Sequence, residues 1–199
     1  MSAAAAAQLT EEDAARASFY ALIGRLFFDA PDAELLSQIA RDAAQADASA
    51  TFGAAWVALG AACRDAHVDS LREEHLALFG GVGRALVTPY TSAYVTHTLH
   101  ERHLLALRQH LAALGLSRQA SANDPEDHVA GLCDVMRHLI TRYDSEHVQK
   151  EFFSQYLYVG VNTLCGKVLA AERAHFYKSV AQFALAFLEV EHEGFEMLE

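Results

Sequence analysis

The clearest indication of the fold comes from residues 19–27, which read Phe19-Tyr20-Ala21-Leu22-Ile23-Gly24-Arg25-Leu26-Phe27. The large apolar residues recur at the spacing of one face of an α-helix, which predicts an amphipathic helix with that face buried. Thr10 offers an N-cap ahead of the acidic residues 11–13, and Pro31 ends the helix on the other side. We therefore expect the first long element to be a core helix.

Similar apolar periodicity continues along the rest of the chain. It predicts helices over residues 32–47, 52–63, 68–79 and 92–114, a helix opened by Pro125 that ends near Asp144, and two or three core helices between Phe152 and Phe187. Residues 84–89 are too short and isolated for a sheet, so we expect a loop there. The prediction is an all-α, single-domain globular bundle of about eight to nine helices over residues 10–199, after a disordered tail at 1–9.

The composition suits one compact domain in a reducing compartment. The chain has 199 residues, of which 52% are hydrophobic, so it can bury a core without disulfides or metals. Cys63, Cys133 and Cys165 are widely spaced in apolar patterns, which favours reduced thiols. The N-terminal residues lack the basic start of a secretory signal, and no long uncharged apolar run predicts a membrane span. We expect a cytoplasmic protein with no stable membrane insertion.

The charge balance limits the possible partners. Fifteen Lys and Arg stand against 26 Asp and Glu, which gives a formal net charge of −11. Such a surface repels phosphate backbones, so we expect no nucleic-acid partner. It would attract a basic peptide, although acidic surfaces also serve simply to keep proteins in solution.

Histidines and Glu-x-x-His pairs raise the alternative of a helical metal-binding or di-iron protein or enzyme. The candidate ligands are His97, His100 and His103, and the pairs Glu172 with His175 and Glu189 with His192. His103 lies about 240° around a helix from His97, so the three imidazoles do not converge. Glu189 is placed outward by the apolar stripe of its helix. We therefore predict no metal and no cofactor, and keep the metal reading as the alternative.

Motifs of nucleotide sites and of covalent catalysis are absent from the sequence. The glycine cluster at residues 80–83 follows no strand and has no Gly-Lys-Ser or Gly-Lys-Thr ending, so it predicts the end of a helix. There is no Gly-x-Ser-x-Gly elbow and no papain-like surround of a cysteine. We predict no catalytic residues and a protein that is not an enzyme.

Three irregular patches interrupt the helical pattern: residues 78–83, 89–94 and 124–128. They combine aromatic, acidic and loop-forming residues at predicted helix ends. An apolar floor beside carboxylates is typical of a cleft that binds a peptide and selects positive charge. Each patch also has an ordinary explanation, since Asp124-Pro125-Glu126 is a good helix start and Pro89 to Ser92 can be a loop with an N-cap.

At these patches the chain resembles the TorD/DmsD family of redox-enzyme maturation chaperones, to which NarJ-type proteins are more distantly related. Residues 19–27 resemble the opening helix of that family. Glu74-His75-Leu76-Ala77-Leu78-Phe79 is similar to its aromatic-x-x-Leu-Phe motif, with His75 in the aromatic position. Residues 89–94 resemble its proline-tyrosine segment, and Asp124-Pro125-Glu126-Asp127-His128 resembles its Glu-Pro-x-Asp-His motif.

The resemblance implies a cytoplasmic chaperone that binds the twin-arginine leader or the apo form of a molybdenum-cofactor oxidoreductase. Such a chaperone assists maturation of the catalytic subunit and delays export until the cofactor is inserted. The oligomeric state stays open between a monomer and a domain-swapped dimer, because the polar 115–124 connection permits either. The client-binding residues implied by the resemblance are His75, Leu78, Phe79, Gly81, Gly83, Pro89, Tyr90, Ser92, Tyr94, Asp124, Pro125, Glu126, Asp127 and His128.

Overall fold

Helices account for most of the chain in this computed structural model, which describes residues 9–80, 85–95, 100–117, 124–142 and 145–198. The α-helices are α1 (Glu11–Phe28), α2 (Ala33–Ala43), α3 (Thr51–Asp65), α4 (Val68–Phe79), α5 (Ser92–Val95), α6 (His100–Ala113), α7 (Val129–Arg142), α8 (Glu146–Phe152), α9 (Tyr158–Ala170) and α10 (Phe176–Glu196). A π-helical turn, Phe153–Leu157, joins α8 to α9 without a break. Within the described ranges no strand forms, and the predicted all-α single-domain fold is confirmed.

Helix α1 is the core helix that its periodicity predicts. Thr10 caps it by accepting a hydrogen bond from the Asp13 N–H at 3.0 Å. Tyr20, Ile23 and Leu26 are buried on its inner face, which packs chiefly against α7. Gly24 permits this close approach, because a Cβ there would stand 3.2 Å from the Cys133 Cβ. The two helices form one side of the core.

Helix α10 runs through the middle of the fold, where it packs against α3, α9, α1 and α4. Phe183 and Phe187 lie almost fully buried on it. Their rings meet those of Phe19, Phe52 and Trp56 at centroid distances between 5.1 and 6.0 Å. This aromatic cluster joins α1, α3 and α10 and adds edge-to-face contacts to the area that the rings bury.

A largely buried ion pair also joins α1 to α10, one helical turn away from Phe19 and Phe187. The Arg16 Nε donates to Glu191 Oε1 at 2.7 Å, and its NH2 group donates to Oε2 at 2.9 Å. The Tyr20 hydroxyl donates to the same Oε2 at 2.9 Å. Burial lowers the pKa of Arg16, but Glu191 outweighs that effect and raises it above the ordinary value. Arg16 therefore stays charged and paired inside the fold.

The prediction that Pro125 opens a helix is wrong, because α7 begins at Val129. The backbone ahead of it pairs with another segment instead. The Thr91 N–H donates to the Asp127 carbonyl at 3.0 Å, and the Val129 N–H donates to the Pro89 carbonyl at 2.9 Å. Residues 124–128 thus form a turn and a bridge, not a first helical turn.

Other predicted boundaries shift by smaller amounts. The second helix ends at Ala43 instead of residue 47. The long helix predicted over 92–114 appears as α5 and α6, and residues 96–99 between them lie outside the described ranges, as does Asp144. The loop expected at 84–89 is a loop over its described part, residues 85–89. Among the described helices, none combines the length and the apolar character that a bilayer crossing requires.

Candidate functional site

Two of the irregular patches, residues 89–94 and 124–128, lie side by side in the structure. Tyr90 and His128 form an isolated antiparallel β-bridge. Their rings meet edge to face with 5.3 Å between the centroids. The two patches are separated by residues 95–123 of the sequence, so this pairing is a tertiary contact that gives both loops a fixed backbone.

Asp127 holds this pairing from beneath the surface. It is 2% exposed, and its carboxylate accepts hydrogen bonds from the Ser92 hydroxyl and, at 3.3 Å, from the Ser92 N–H. Ser92 is itself buried at the start of α5. A buried carboxylate needs such donors, because burial without them would be strongly unfavourable. Asp127 therefore positions the 124–128 turn against α5.

Asp124 begins this turn, and solvent reaches its carboxylate. It is partly exposed, and its Oδ1 accepts a hydrogen bond from the Tyr90 hydroxyl at 2.8 Å. Burial, and then Asp124 itself, raise the pKa of Tyr90 to about 12. Tyr90 consequently stays protonated at neutral pH and keeps the Asp124 side chain in place.

Pro125 and Glu126 occupy the outer part of the same turn. Pro125 is exposed, and Glu126 is partly exposed. Glu126 Oε2 lies 3.0 Å from the Arg108 NH2 group of α6. The pair ties the turn to α6, and because the Arg108 side chain is about half exposed, the pair contributes modestly to stability.

Tyr94 lies at the end of the bridge that faces α9. Its hydroxyl donates to the Thr88 carbonyl at 2.6 Å, and the Lys167 Nζ stands 5.8 Å from its ring centroid. The side chain is partly exposed. Part of this side chain is therefore accessible while its hydroxyl stabilises the loop.

The aromatic end of α4 forms the neighbouring part of the site. The rings of His75 and Phe79 lie 5.2 Å apart, and Tyr177 of α10 lies 5.6 Å from His75 and 5.2 Å from Phe79. Leu78 is fully buried, and its carbonyl accepts from the Val87 N–H at 2.9 Å. His75 and Phe79 are thus the partly exposed members of this group, while Leu78 supports the loop that follows α4.

Glu74 fixes where this aromatic group stands relative to α10. Its carboxylate accepts hydrogen bonds from the N–H groups of His175, Phe176 and Tyr177 at 2.8, 3.2 and 2.9 Å. Helix α10 has no side-chain cap of its own. Glu74 supplies that cap from another helix, where a negative charge is also favoured by the helix dipole.

The end of α1 joins the two parts of the site. Phe27 is buried and packs its ring against Phe79 at 5.7 Å. Phe28, the next residue, is 59% exposed, and its ring lies 6.1 Å from that of His128. Consecutive residues of one helix therefore contact the α4 group on one side and the bridge on the other.

The two histidines of the site are neutral near physiological pH. Burial lowers the pKa of His75, although the Phe27 backbone and Asp29 oppose the effect. Burial also lowers the pKa of His128, where Asp124 and Asp127 oppose it and His75 adds to it. The two imidazoles thus lie close enough to influence one another. The His128 Nδ1 accepts from the Ala130 N–H at 3.1 Å, as a neutral ring can.

Gly81 and Gly83, which the family resemblance also marks, lie outside the described residues. So does His97 of the candidate metal set, and nothing is described of the His100 side chain. Across the part of the chain that the structure describes, no three His, Cys, Asp or Glu side chains gather as they would around a metal ion. Glu189 is exposed, as its helical position predicts, and accepts from the Tyr158 hydroxyl at 3.1 Å.

The cysteines are buried free thiols, as their spacing predicts. Burial raises the pKa of Cys63 and of Cys165 to about 12, and it raises the pKa of Cys133 further still. Thiols with such high pKa values are poor nucleophiles and poor metal ligands at neutral pH. They act as apolar core residues.

The sequence profile of the family described as nitrate reductase delta subunit matches residues 45–189. This match covers well over half of the chain, and the chain belongs to that family of NarJ/TorD-type proteins. The resemblance drawn from the motifs is therefore confirmed at the level of the family.

The chain is also similar to curated proteins that are named as TorD chaperones. The chain is 28% identical over 137 residues to the chaperone protein TorD of Vibrio cholerae serotype O1, strain O395, an alignment that covers 63% of this chain and 62% of the relative. The same protein from strain M66-2 matches with the same identity and coverage. The chain thus spans less than two thirds of the length of these relatives.

One residue of the site was not found by sequence reasoning, Phe28. Leu76, which follows His75 directly on α4, is a further apolar side chain that is 61% exposed. Phe28 lies outside residues 45–189 and outside every motif that carried the resemblance. The apolar stripe of α1 stops at Phe27. The available signal for Phe28 was therefore an aromatic residue at a helix end that does not belong to the buried stripe.

Proposed function

We propose that this protein is a cytoplasmic chaperone for the catalytic subunit of a molybdenum-cofactor oxidoreductase. It binds the twin-arginine leader or the apo form of that subunit, assists its maturation and delays export until the cofactor is inserted. It catalyses no reaction itself. Membership of the nitrate reductase delta subunit family and the similarity to TorD chaperones support this proposal.

The observation that carries the proposal is the exposed, mixed surface at the Tyr90–His128 bridge. The partly exposed carboxylate of Asp124 is held by Tyr90, and Tyr90 packs on His128. The His128 ring also meets that of Phe28, more than half of which faces solvent. A charged group and an apolar ring are therefore presented on one fixed scaffold, with the Tyr90 and His128 rings between them.

This surface complements both halves of a twin-arginine leader. The guanidinium groups of the leader form charge-assisted hydrogen bonds with carboxylates, and its apolar segment buries area against aromatic and aliphatic side chains. The formal net charge of −11 attracts such a basic peptide and speeds its association at low salt. Asp124 is the proposed partner of the basic end, and Phe79, Tyr94 and His75 are proposed to line the apolar part.

Five of the proposed client-binding residues are buried, namely Leu78, Pro89, Ser92, Asp127 and His128. Asp127 and Leu78 act through others in this proposal. Asp127 is 2% exposed and Leu78 is fully buried. The Asp127 carboxylate binds the Ser92 hydroxyl and so fixes the 124–128 turn. The Leu78 carbonyl accepts from the Val87 N–H and so fixes the loop after α4. We assign both a positioning role, which keeps Asp124 and Phe79 at the surface.

Calorimetric titration of the full-length protein with a synthetic twin-arginine leader peptide tests the proposal. We expect saturable binding that is lost, or weakened by about tenfold or more, when both arginines are replaced by glutamine. Asp124→Asn should weaken binding of the twin-arginine peptide, whereas Asp42→Asn, which removes the same charge from an exposed position on α2, should not. An absence of binding to the twin-arginine peptide contradicts the proposal for the leader.

Capture experiments then separate the leader from the body of the client as the main target. The purified protein is immobilised and offered the apo form of a molybdenum enzyme with and without its leader. Capture that depends on the leader supports leader recognition, and equal capture of both forms supports recognition of the apoprotein. Capture of neither form, together with an absence of peptide binding, contradicts the chaperone function.

A further inference from the structure

We propose that Phe28 and Asp29, at the C-terminal end of α1, form a second client-binding edge opposite Asp124, which contacts the apolar segment and one of the two arginines of the leader. This inference rests on the proposed function. It adds two residues that lie outside residues 45–189 and outside the motifs that carried the resemblance, and it assigns separate carboxylates to the two arginines.

Phe28 is exposed in a position where its ring is already oriented. Its ring centroid lies 6.1 Å from that of His128, and the adjacent Phe27 is anchored in the core against Phe79. An exposed phenylalanine on a rigid helix end contributes apolar contact area with little loss of conformational freedom on binding. Exposed Leu76, which follows His75, extends the apolar surface along α4.

Asp29 ends α1 beside this ring and is exposed. Its Oδ1 accepts from the Ala30 N–H at 2.8 Å, which fixes the orientation of the carboxylate. Arg25 donates to the Asp29 carbonyl oxygen at 3.0 Å, and its NH2 group lies 4.0 Å from the Asp32 carboxylate. The Asp29 side chain is thus held at the helix end. The nearby Arg25 guanidinium contacts the Asp29 backbone carbonyl and the Asp32 carboxylate.

A run of contacts leads from Asp124 to the end of α1. Asp124 accepts from the Tyr90 hydroxyl at 2.8 Å, the Tyr90 ring meets that of His128 at 5.3 Å, and the His128 ring meets that of Phe28 at 6.1 Å. Asp29 follows Phe28 directly. The two carboxylates therefore lie at the two ends of this run, with the Tyr90, His128 and Phe28 rings between them.

Carboxylates at two ends suit two consecutive arginines better than a single acidic cluster would. In an extended chain, successive side chains point to opposite sides. Two neighbouring guanidinium groups therefore diverge, and each requires its own acceptor. The apolar residues that follow the arginines would then lie over Phe28 and Leu76.

A cycle of protein and peptide variants tests this assignment by calorimetry on the full-length protein. The peptides carry Arg-Arg, Gln-Arg or Arg-Gln at the twin-arginine position. The protein variants are Asp29→Asn, Asp124→Asn, Phe28→Ala and the control Asp42→Asn. Because Phe28 and Asp29 are exposed, we expect the thermal unfolding midpoints of their variants to stay close to that of the wild type.

We expect Asp29→Asn to weaken binding of the Arg-Arg peptide by about fivefold. In this variant, replacing one of the two arginines by glutamine should cause no further loss of affinity, whereas replacing the other should still weaken binding. Asp124→Asn should do the same for the other arginine. Phe28→Ala should weaken binding of all three peptides by about tenfold.

Wild-type binding together with unchanged affinities in Asp29→Asn and Phe28→Ala overturns this inference and leaves the proposed function standing. Coupling of both aspartates to the same arginine also overturns it. If the wild type binds none of the peptides, the inference falls together with leader recognition.

Discussion

The hydroxyl of Ser92 donates a hydrogen bond to the buried carboxylate of Asp127, across 35 residues of sequence. Through this contact the start of α5 and the turn before α7 share one polar anchor. The Tyr90–His128 bridge runs beside it. The geometry of the proposed client surface therefore depends on a buried aspartate that the client does not reach.

Substitution of Asp127 tests whether its buried carboxylate stabilises the fold by positioning the 124–128 turn. Asp127→Ala leaves the Ser92 N–H and hydroxyl buried without their acceptor, so we expect a loss of about 2 kcal/mol in the free energy of unfolding. Asp127→Asn retains one acceptor oxygen and should lose less. Urea unfolding measures both, and a stability of Asp127→Ala equal to the wild type would show that the anchor contributes nothing.

Glu74 should matter for stability although its position lies in a motif that is associated with the client. It caps α10 through the N–H groups of His175, Phe176 and Tyr177. We expect Glu74→Ala to lower the free energy of unfolding by about 1 to 2 kcal/mol. The neighbouring exposed residue provides the control, since Glu73→Ala should change it by less than about 0.5 kcal/mol. Equal effects of the two substitutions in guanidinium unfolding would refute the cap.

The Arg16–Glu191 pair should behave as a buried salt bridge. Glu191→Ala removes one of the two carboxylates that pair with Arg16, which keeps Asp13 and Gln149, and it leaves the buried Tyr20 hydroxyl without its acceptor. We expect a loss of about 3 kcal/mol. Replacing the network by apolar residues, Arg16→Met with Glu191→Leu and Tyr20→Phe, should restore most of that loss. Thermal unfolding of the single and triple variants measures the difference. A triple variant less stable than Glu191→Ala would indicate that the network is intrinsically stabilising.

Acid should destabilise the protein through the two histidines of the proposed client surface. Burial lowers the folded-state pKa values of His75 and His128 below the ordinary value of 6.5. The unfolded chain then binds more protons than the folded one, so the stabilising contribution is full above pH 6.5 and declines as pH falls below it. His75→Phe, which restores an aromatic ring, should lose less stability between about pH 7.5 and pH 5.5 than the wild type. Parallel pH dependences in urea unfolding would contradict this assignment.

The helices were predictable because their signals are local. The stripe of α1 is readable from Phe19 to Phe27, since each apolar residue reports on neighbours three and four positions away. Thr10 caps the helix through Asp13, as the sequence indicates. The helix start predicted at Pro125 was wrong for the same reason. Its sequence neighbours favour a helix start, but the backbone partners that compete with the helix lie far away in sequence, at residues 89–91.

The proposed surface was predictable only in part, because its contacts join distant segments. The motifs identify residues 89–94 and 124–128, but not that Asp127 is buried beneath Ser92 while Asp124 is accessible. Nor does any local pattern indicate that Glu74 caps a helix one hundred residues later. Phe28 was missed because the stripe of α1 ends at Phe27, and its contact with His128 exists only in the folded chain.

Photo-crosslinking tests the location of the client most directly. A twin-arginine leader peptide carries a benzophenone side chain in its apolar segment, and mass spectrometry identifies the crosslinked residues of the full-length protein. We expect crosslinks to Phe28, Leu76, Phe79 and Tyr94, reduced by excess unlabelled peptide. Competed crosslinks confined to the remote surface of α3 and α10, around Phe52 and Val190, would contradict the account.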